Sequence, residues 1–195
     1  MGLKAFLSVC FARFVVNKNN VWKHSAVKHQ QTIMHQLIAK AQKTAFGIDH
    51  CFSDITCYDD FKKNIPIRDY EEIKTYVDRV VNGENDVLWP RKPIYFCKTS
   101  GTTSGSKFIP ITKESMHFHL KAAKDAILTY ILETRDSSIV NGKMIFLQGS
   151  PVLTKTGSVL TGRLSGIVAH HIPFYLKKNR LPSFTTNSIE DWEKK

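Results

Sequence analysis

Apolar residues recur every three or four positions along residues 21–46. Trp22, Ala26, Ile33, Leu37 and Ala41 share one stripe, with Met34 and Ile38 beside it. That spacing predicts a long amphipathic helix, and Gly47 follows as its stop signal. Residues 48–68 lose the period and predict an irregular stretch anchored by Phe52, Tyr58, Phe61 and Ile65-Pro66-Ile67. A second helix is then marked by its cap: Asp69 precedes it, and Glu72 stands where a capping box needs an acid. Ile73, Tyr76, Val77 and Val80 form its apolar face, and Gly83 ends it.

Further on, the period changes. Trp89-Pro90-Arg91-Lys92-Pro93 breaks regular structure, and Ile94–Lys98 is a short β-prone run. Phe108–Ile111 reads as a returning strand. Thr112 can cap a third helix over about 113–134, with Met116, Leu120, Ala123, Ile127 and Ile131 on its apolar face. Met144–Leu147 predicts a buried strand, residues 149–166 are rich in Gly, Ser and Thr, and Trp192 lies in a polar, helix-like tail. At the N-terminus, Lys4 before Ala5–Cys10 looks faintly like a secretion signal. Arg13 interrupts it and no small-x-small cleavage site follows, so an amphipathic helix is expected instead.

Composition narrows the class. The chain has 195 residues, 42% hydrophobic and 23% charged, which suits one globular domain or part of a larger one. No apolar run approaches the ~18–20 residues of a membrane helix, so no stable membrane insertion is expected. Cys10, Cys51, Cys57 and Cys97 form no C-x-x-C pair, which predicts buried or reduced thiols and, with them, a cytoplasmic protein. The net charge of +11 divides as +6 over residues 1–50, −1 over 51–98 and +6 over 99–195. A basic surface attracts anions. There is no long run of like charge and no nucleic-acid motif, so no nucleic-acid partner is expected.

One segment carries chemistry. Thr99-Ser100-Gly101-Thr102-Thr103-Ser104-Gly105-Ser106 sets hydroxyls and glycines before a single lysine, Lys107. Glycines let backbone N–H groups approach an anion, hydroxyls donate hydrogen bonds, and lysine adds a positive charge. A Walker A loop is excluded, because Ser106 separates Gly105 from Lys107 and Phe108 follows. A flexible linker and the Ser/Thr/Gly loop of adenylate-forming enzymes both remain.

The loop resembles the adenylate-forming pattern [ST]-S-G-[ST]-T-G-x-P-K. Gly101 and Lys107 keep its six-residue separation, whereas the second glycine is displaced by one and Ser106 replaces the usual proline. With Pro110 beyond the lysine, these departures resemble the auxin-responsive acyl-acid amido synthetase family. Thr44-Ala45-Phe46-Gly47 with Phe52, Phe61 with Ile65-Pro66-Ile67-Arg68-Asp69-Tyr70, and Gly162-Arg163-Leu164-Ser165-Gly166 are similar to other elements of that family.

The resemblance implies an α/β fold: the N-terminal part of the large adenylate-forming domain, with helices packed on a mixed β-sheet. Residues 1–195 would then run from a helical start over 1–50 through the phosphate loop at 99–107. The C-terminal domain would be absent, and the chain alone would be inactive. The reaction implied is ATP-dependent adenylation of a carboxylic acid with Mg²⁺, followed by amide formation with an amino acid. Thr99, Ser100, Gly101, Thr102, Thr103 and Gly105 would bind the nucleotide, and Lys107 would act on its charge. Arg163 is a candidate for a substrate carboxylate, and Met116, Leu120 and Ile127 for either core or the wall of an acyl pocket. His117 and His119 point to different helix faces, and Ser165 lacks the G-x-S-x-G setting of a hydrolase nucleophile. Two other classes stay open: a nucleotide- or anion-binding module without catalysis, and a basic interaction protein acting through residues 1–50.

Overall fold

A computed structural model describes residues 3–99, 107–146, 148–189, 191 and 193–194. In chain order these form α1 (Leu3–Asn19), α2 (Ala26–Ala41), α3 (Ala45–Asp49), α4 (Tyr58–Asn64), α5 (Tyr70–Val81), β1 (Tyr95–Lys98) and β2 (Phe108–Ile111). Then come α6 (Lys113–Thr134), β3 (Met144–Ile145), β4 (Thr154–Thr156), β5 (Val159–Gly162), α7 (Leu164–His170), α8 (Phe174–Lys177), β6 (Arg180–Leu181) and α9 (Phe184–Asn187). The elements group into two compact units. Ser25–Lys113 with Thr154–Thr161 makes one, and Met1–His24, Glu114–Leu153 and Gly162–Lys195 make the other.

The first unit holds a four-stranded sheet in the order β2-β1-β5-β4. β1 and β2 pair antiparallel with Tyr95 opposite Ile111 and Lys98 opposite Phe108. β4 and β5 are also antiparallel. The fully buried Phe96 of β1 joins Val80, Val87 and Val159 in one core cluster, with Tyr76 and Phe108 packed against it. This core ties α5 to the hairpin.

The helix expected over residues 21–46 is divided. A 3-10 turn covers Asn20–His24, α2 starts after Ser25, and α3 is separate. The expected stripe is covered only at Ala41, and burial otherwise follows the positions beside it. Ile38 and Ala41 are buried with Phe52 and Ile55, and Met34 packs against them, whereas Trp22, Ile33 and Leu37 are each more than half exposed. The two stripes differ by one residue, about 100° of helix, and both are apolar, so periodicity alone could not choose. Gly47 is not a stop signal either. It lies inside α3, where a Cβ would stand 2.2 Å from the Ala41 carbonyl oxygen. Its missing side chain lets α3 fold back on the end of α2. Thr44 holds that corner by accepting from the Gly47 N–H at 3.0 Å and donating to the Ala41 oxygen at 2.7 Å.

The stretch expected to be irregular contains α4, fixed by Asp60. One carboxylate oxygen of Asp60 accepts from the Thr56 N–H at 3.0 Å, the Thr56 hydroxyl at 2.8 Å and the Cys57 N–H at 3.1 Å. These bonds, the Thr56 hydroxyl foremost, hold the carboxyl at about 2, below its ordinary 3.8. The folded pKa is depressed, so the contribution is complete above the ordinary value and lost as pH falls through about 2. Asp60→Asn should therefore melt earlier than the parent near about pH 6, and the gap should close between about pH 4 and pH 2. A gap that stays constant across that window would contradict this account. Ile67, expected as an anchor, is wholly exposed. The helix predicted from Asp69 forms as α5. Asp69 accepts from the Glu72 N–H at 3.0 Å, and Glu72 accepts from the Asp69 N–H at 2.8 Å.

In the second unit α1 buries Ala12 and Val16 against Leu128 and Ile131 of α6. The N-terminal helix was expected to be amphipathic, yet Phe6, Leu7, Phe11 and Phe14 are half or more exposed on it, so it is apolar on more than one side. Along α6, Met116 and Ile131 are buried as expected, but Ala123 is exposed and Leu128 is buried instead. β3 and β6 form a parallel pair with Met144 opposite Arg180. The buried strand expected at Met144–Leu147 is shorter: Ile145 is 72% exposed, and Leu147 lies outside the described residues. A two-residue ladder has too little surface to bury both faces. Trp192 is also outside the described residues.

Candidate functional site

The β1–β2 hairpin positions the loop. Phe96 anchors β1 in the core, and its ring meets Phe108 of β2 edge-on at 5.8 Å. Beyond the last strand pair, the Thr99 N–H donates to the Lys107 oxygen at 3.1 Å. The two strands expected on either side of this segment form and pair, and the Thr99–Lys107 bond extends their ladder by one step. A free linker does not need such a stem. Thr99 is exposed and Lys107 half-buried. Ser100, Gly101, Thr102, Thr103 and Gly105 lie outside the described residues.

The local charge suits an anion. Between Asp86 and Glu114 there is no acidic residue, while Arg91, Lys92, Lys98, Lys107 and Lys113 are basic. Glycine, hydroxyl and ammonium groups form a donor set for phosphate oxygens. No such set exists for a cation: among the described residues, no group of three or more His, Cys, Asp or Glu side chains could hold a metal.

Lys107 is steered by a residue to which the sequence reading gave no role. Its ammonium lies 5.1 Å from the centre of the Tyr70 ring. The Tyr70 hydroxyl accepts from the Phe108 N–H at 2.8 Å and lies 3.4 Å from the Phe108 oxygen. The available signal was the position of Tyr70, directly after the capping Asp69.

The other quoted elements make packing contacts, each within its own unit. Phe46 stacks on His50 at 4.0 Å and meets Tyr76 and Phe52 edge-on at 5.1 and 5.9 Å. The N–H groups of Ala45 and Phe46 donate to the Asp86 and Val87 oxygens at 2.8 and 2.9 Å, which fastens α3 to the approach to β1. In the second unit, Gly166 packs so tightly that a Cβ would stand 2.2 Å from the Ser150 oxygen. Ser165 accepts from the Gly149 N–H at 3.1 Å. Arg163 stands at the N-cap position of α7 without a side-chain cap bond and is exposed, with its alkyl stem against Gly149. The residues opposite Gly162–Gly166, namely Gly149-Ser150-Pro151, had no signal in the sequence beyond a small-residue bias.

The paired hairpin sits on an α/β scaffold, and comparison with known proteins gives the chain a family. The model of the GH3 family N-terminal domain matches residues 18–195, and the chain belongs to this family. Its relatives include the indole-3-acetic acid-amido synthetase GH3.15 of Arabidopsis thaliana, 34% identical over 102 residues, 44% of this chain and 17% of that protein. The 4-substituted benzoates-glutamate ligase GH3.12 of the same plant is 40% identical over 83 residues, 40% of this chain and 14% of that one. The jasmonoyl–L-amino acid synthetase JAR4 of Nicotiana attenuata is 25% identical over 163 residues, 82% of this chain and 28% of that one. The matches thus span less than a third of these relatives' lengths. Among solved structures, the AtGH3.15 acyl acid amido synthetase in complex with 2,4-DB shares the fold, with a TM-score of 0.66 at 22% identity over 82% of this chain and 28% of that one.

Proposed function

We propose that this chain supplies the N-terminal part of an adenylating domain, in an enzyme that joins a carboxylic acid to an amino acid at the expense of ATP. The observation that carries this reading is the paired stem, Thr99 N–H to Lys107 oxygen at 3.1 Å, which frames a phosphate-type loop in a GH3 domain. The chemistry explains why such a loop is needed. A carboxylate is a poor electrophile. Its oxygen attacks the α-phosphorus of ATP, the bond from that phosphorus to the bridging oxygen breaks, and pyrophosphate leaves. An amine then attacks the acyl carbon, the carbon–oxygen bond to AMP breaks, and the amine loses its proton as the amide forms.

In this reading Thr99, Ser100, Gly101, Thr102, Thr103 and Gly105 bind the nucleotide. Backbone N–H and hydroxyl donors act on the β- and γ-phosphates as charge gathers on departing pyrophosphate. Lys107 supplies a positive charge at the same place. Mg²⁺ would enter with the nucleotide and neutralise phosphate charge. A cytoplasmic setting is part of the proposal, supported by the four free cysteines. Among the described residues no helix is long and apolar enough to cross a membrane.

The test is exchange of labelled pyrophosphate into ATP by the full-length enzyme. Exchange that requires a carboxylic acid supports adenylation. Nucleotide binding with no exchange under any acid would instead identify a binding module without catalysis.

A further inference from the structure

We infer that Tyr70 is a positioning residue for the phosphate loop: its hydroxyl fixes the end of the loop stem, and its ring holds the Lys107 ammonium at the loop's exit. The inference rests on the reading of residues 99–107 as the phosphate site.

β2 is an outer strand, so every second residue turns its backbone groups away from the sheet. The Thr99–Lys107 hydrogen bond marks that pair as a bonded one. The adjacent pair, Lys98 and Phe108, is therefore non-bonded, and the N–H and oxygen of Phe108 face outward. The next outward position on β2 is Pro110, which has no N–H. Phe108 is left with the one outward N–H on this strand's first three residues, and the Tyr70 hydroxyl takes it at 2.8 Å. The same hydroxyl is 3.4 Å from the Phe108 oxygen, so a single phenol serves both edge groups of one residue.

Tyr70 can do this because it is itself fixed. It is the first residue of α5, and the reciprocal Asp69–Glu72 bonds leave that helix start one conformation. The chain from Lys107 to Phe108 is then pinned from two sides, by Thr99 through the ladder and by Tyr70 through the edge. The Lys107 side chain leaves from between these two clasps and lies over the Tyr70 ring at 5.1 Å, a cation–π distance. Its ammonium is thereby held at the loop's exit and, among the described residues, has no carboxylate partner to release when phosphate arrives. Both effects are pre-organisation: less ordering remains to be done when the nucleotide binds.

The two functions separate by substitution in the full-length enzyme, read by pyrophosphate exchange. Tyr70→Phe keeps the ring and loses the hydroxyl. It should raise the KM for ATP about 3–10-fold, the range of one or two ordinary hydrogen bonds, and leave the KM for the carboxylic acid unchanged. Tyr70→Leu loses the ring as well and should raise the KM for ATP similarly and, in addition, lower kcat. In a Lys107→Met background the difference between Tyr70→Phe and Tyr70→Leu should vanish, because no ammonium remains to be held. Tyr70→Phe is the milder change and keeps the test intact if Tyr70→Leu fails to fold. An unchanged KM for ATP in Tyr70→Phe, with exchange still impaired by Lys107→Met, overturns the inference and leaves the phosphate reading standing. Equal rises in both KM values with a lower melting temperature would mean a merely structural tyrosine and also overturn it. If Lys107→Met and loop hydroxyl substitutions all leave exchange intact, the phosphate reading itself fails and the role of Tyr70 falls with it.

Discussion

Replacing Thr102 and Thr103 together by valine is expected to lower carboxylate-dependent pyrophosphate exchange by roughly 10²–10⁴-fold in the full-length enzyme. Valine keeps the side-chain shape and deletes two hydroxyl donors. Hydrogen bonds to charged groups contribute about 1.5–3 kcal/mol each. Two of them acting on the transition state give about 3–6 kcal/mol, and each ~1.4 kcal/mol is one decade in rate. The second half-reaction, supplied with pre-made acyl-adenylate and an amine, should change little, because pyrophosphate has already gone. The melting temperature should also hold, since a loop hydroxyl supports little core. Equal losses in both half-reactions would show that the substitutions disturb the fold rather than the phosphate site.

The largest structural effect is expected from Phe96→Ala. Phe96 is fully buried, and its ring touches the Phe108 ring across the hairpin. Truncating a buried phenylalanine costs about 3–5 kcal/mol through lost transfer energy and the cavity left behind. At roughly 2–4 °C per kcal/mol for a protein of this size, the melting temperature should fall by about 6–20 °C. Exchange should fall with it, because the loop stem at Thr99 starts three residues after Phe96. Ile67→Ala is the control. That side chain stands wholly in solvent, so the shift should stay within about 2 °C. A loss as large at Ile67 as at Phe96 would refute this assignment of the core.

These two positions show how much was legible in the sequence. The hairpin was, because two β-prone runs bracket a segment that neither helix nor strand favours. So was α5, whose cap is local chemistry between Asp69 and Glu72. Ile67 and Gly47 were not, and the reason is the same for both. Their surroundings are set by residues distant in sequence or by a chain reversal that no local period encodes. Ile65 packs into a core cluster while Ile67, two residues on, faces water. Gly47 looks like a helix stop until the Ala41 oxygen is found where its Cβ would be. In α2 the difficulty was an excess of signal, since Ile33 and Leu37 are as apolar as Met34 and Ile38 and only the position of Phe52 and Ile55 decides which stripe is covered.

For the site, residue type conveyed the chemistry and family resemblance gave it a direction, while the support was hidden. Tyr70 belongs to one quoted element and the loop to another, 38 residues separating Tyr70 from Phe108. Only the fold brings the phenol to the edge of β2. Asp60 is a milder case. An acid three residues into α4 is a capping signal, but Cys57 in the cap position masked it.

Pyrophosphate exchange by the unaltered full-length enzyme, with a carboxylic acid present and the amino acid omitted, tests the central claim most directly. Adenylation precedes amide formation, so labelled pyrophosphate should enter ATP when acid is present and should not when acid is left out. Exchange that needs no acid, or that appears only once an amine is added, would contradict an adenylating domain built on the Thr99–Lys107 loop.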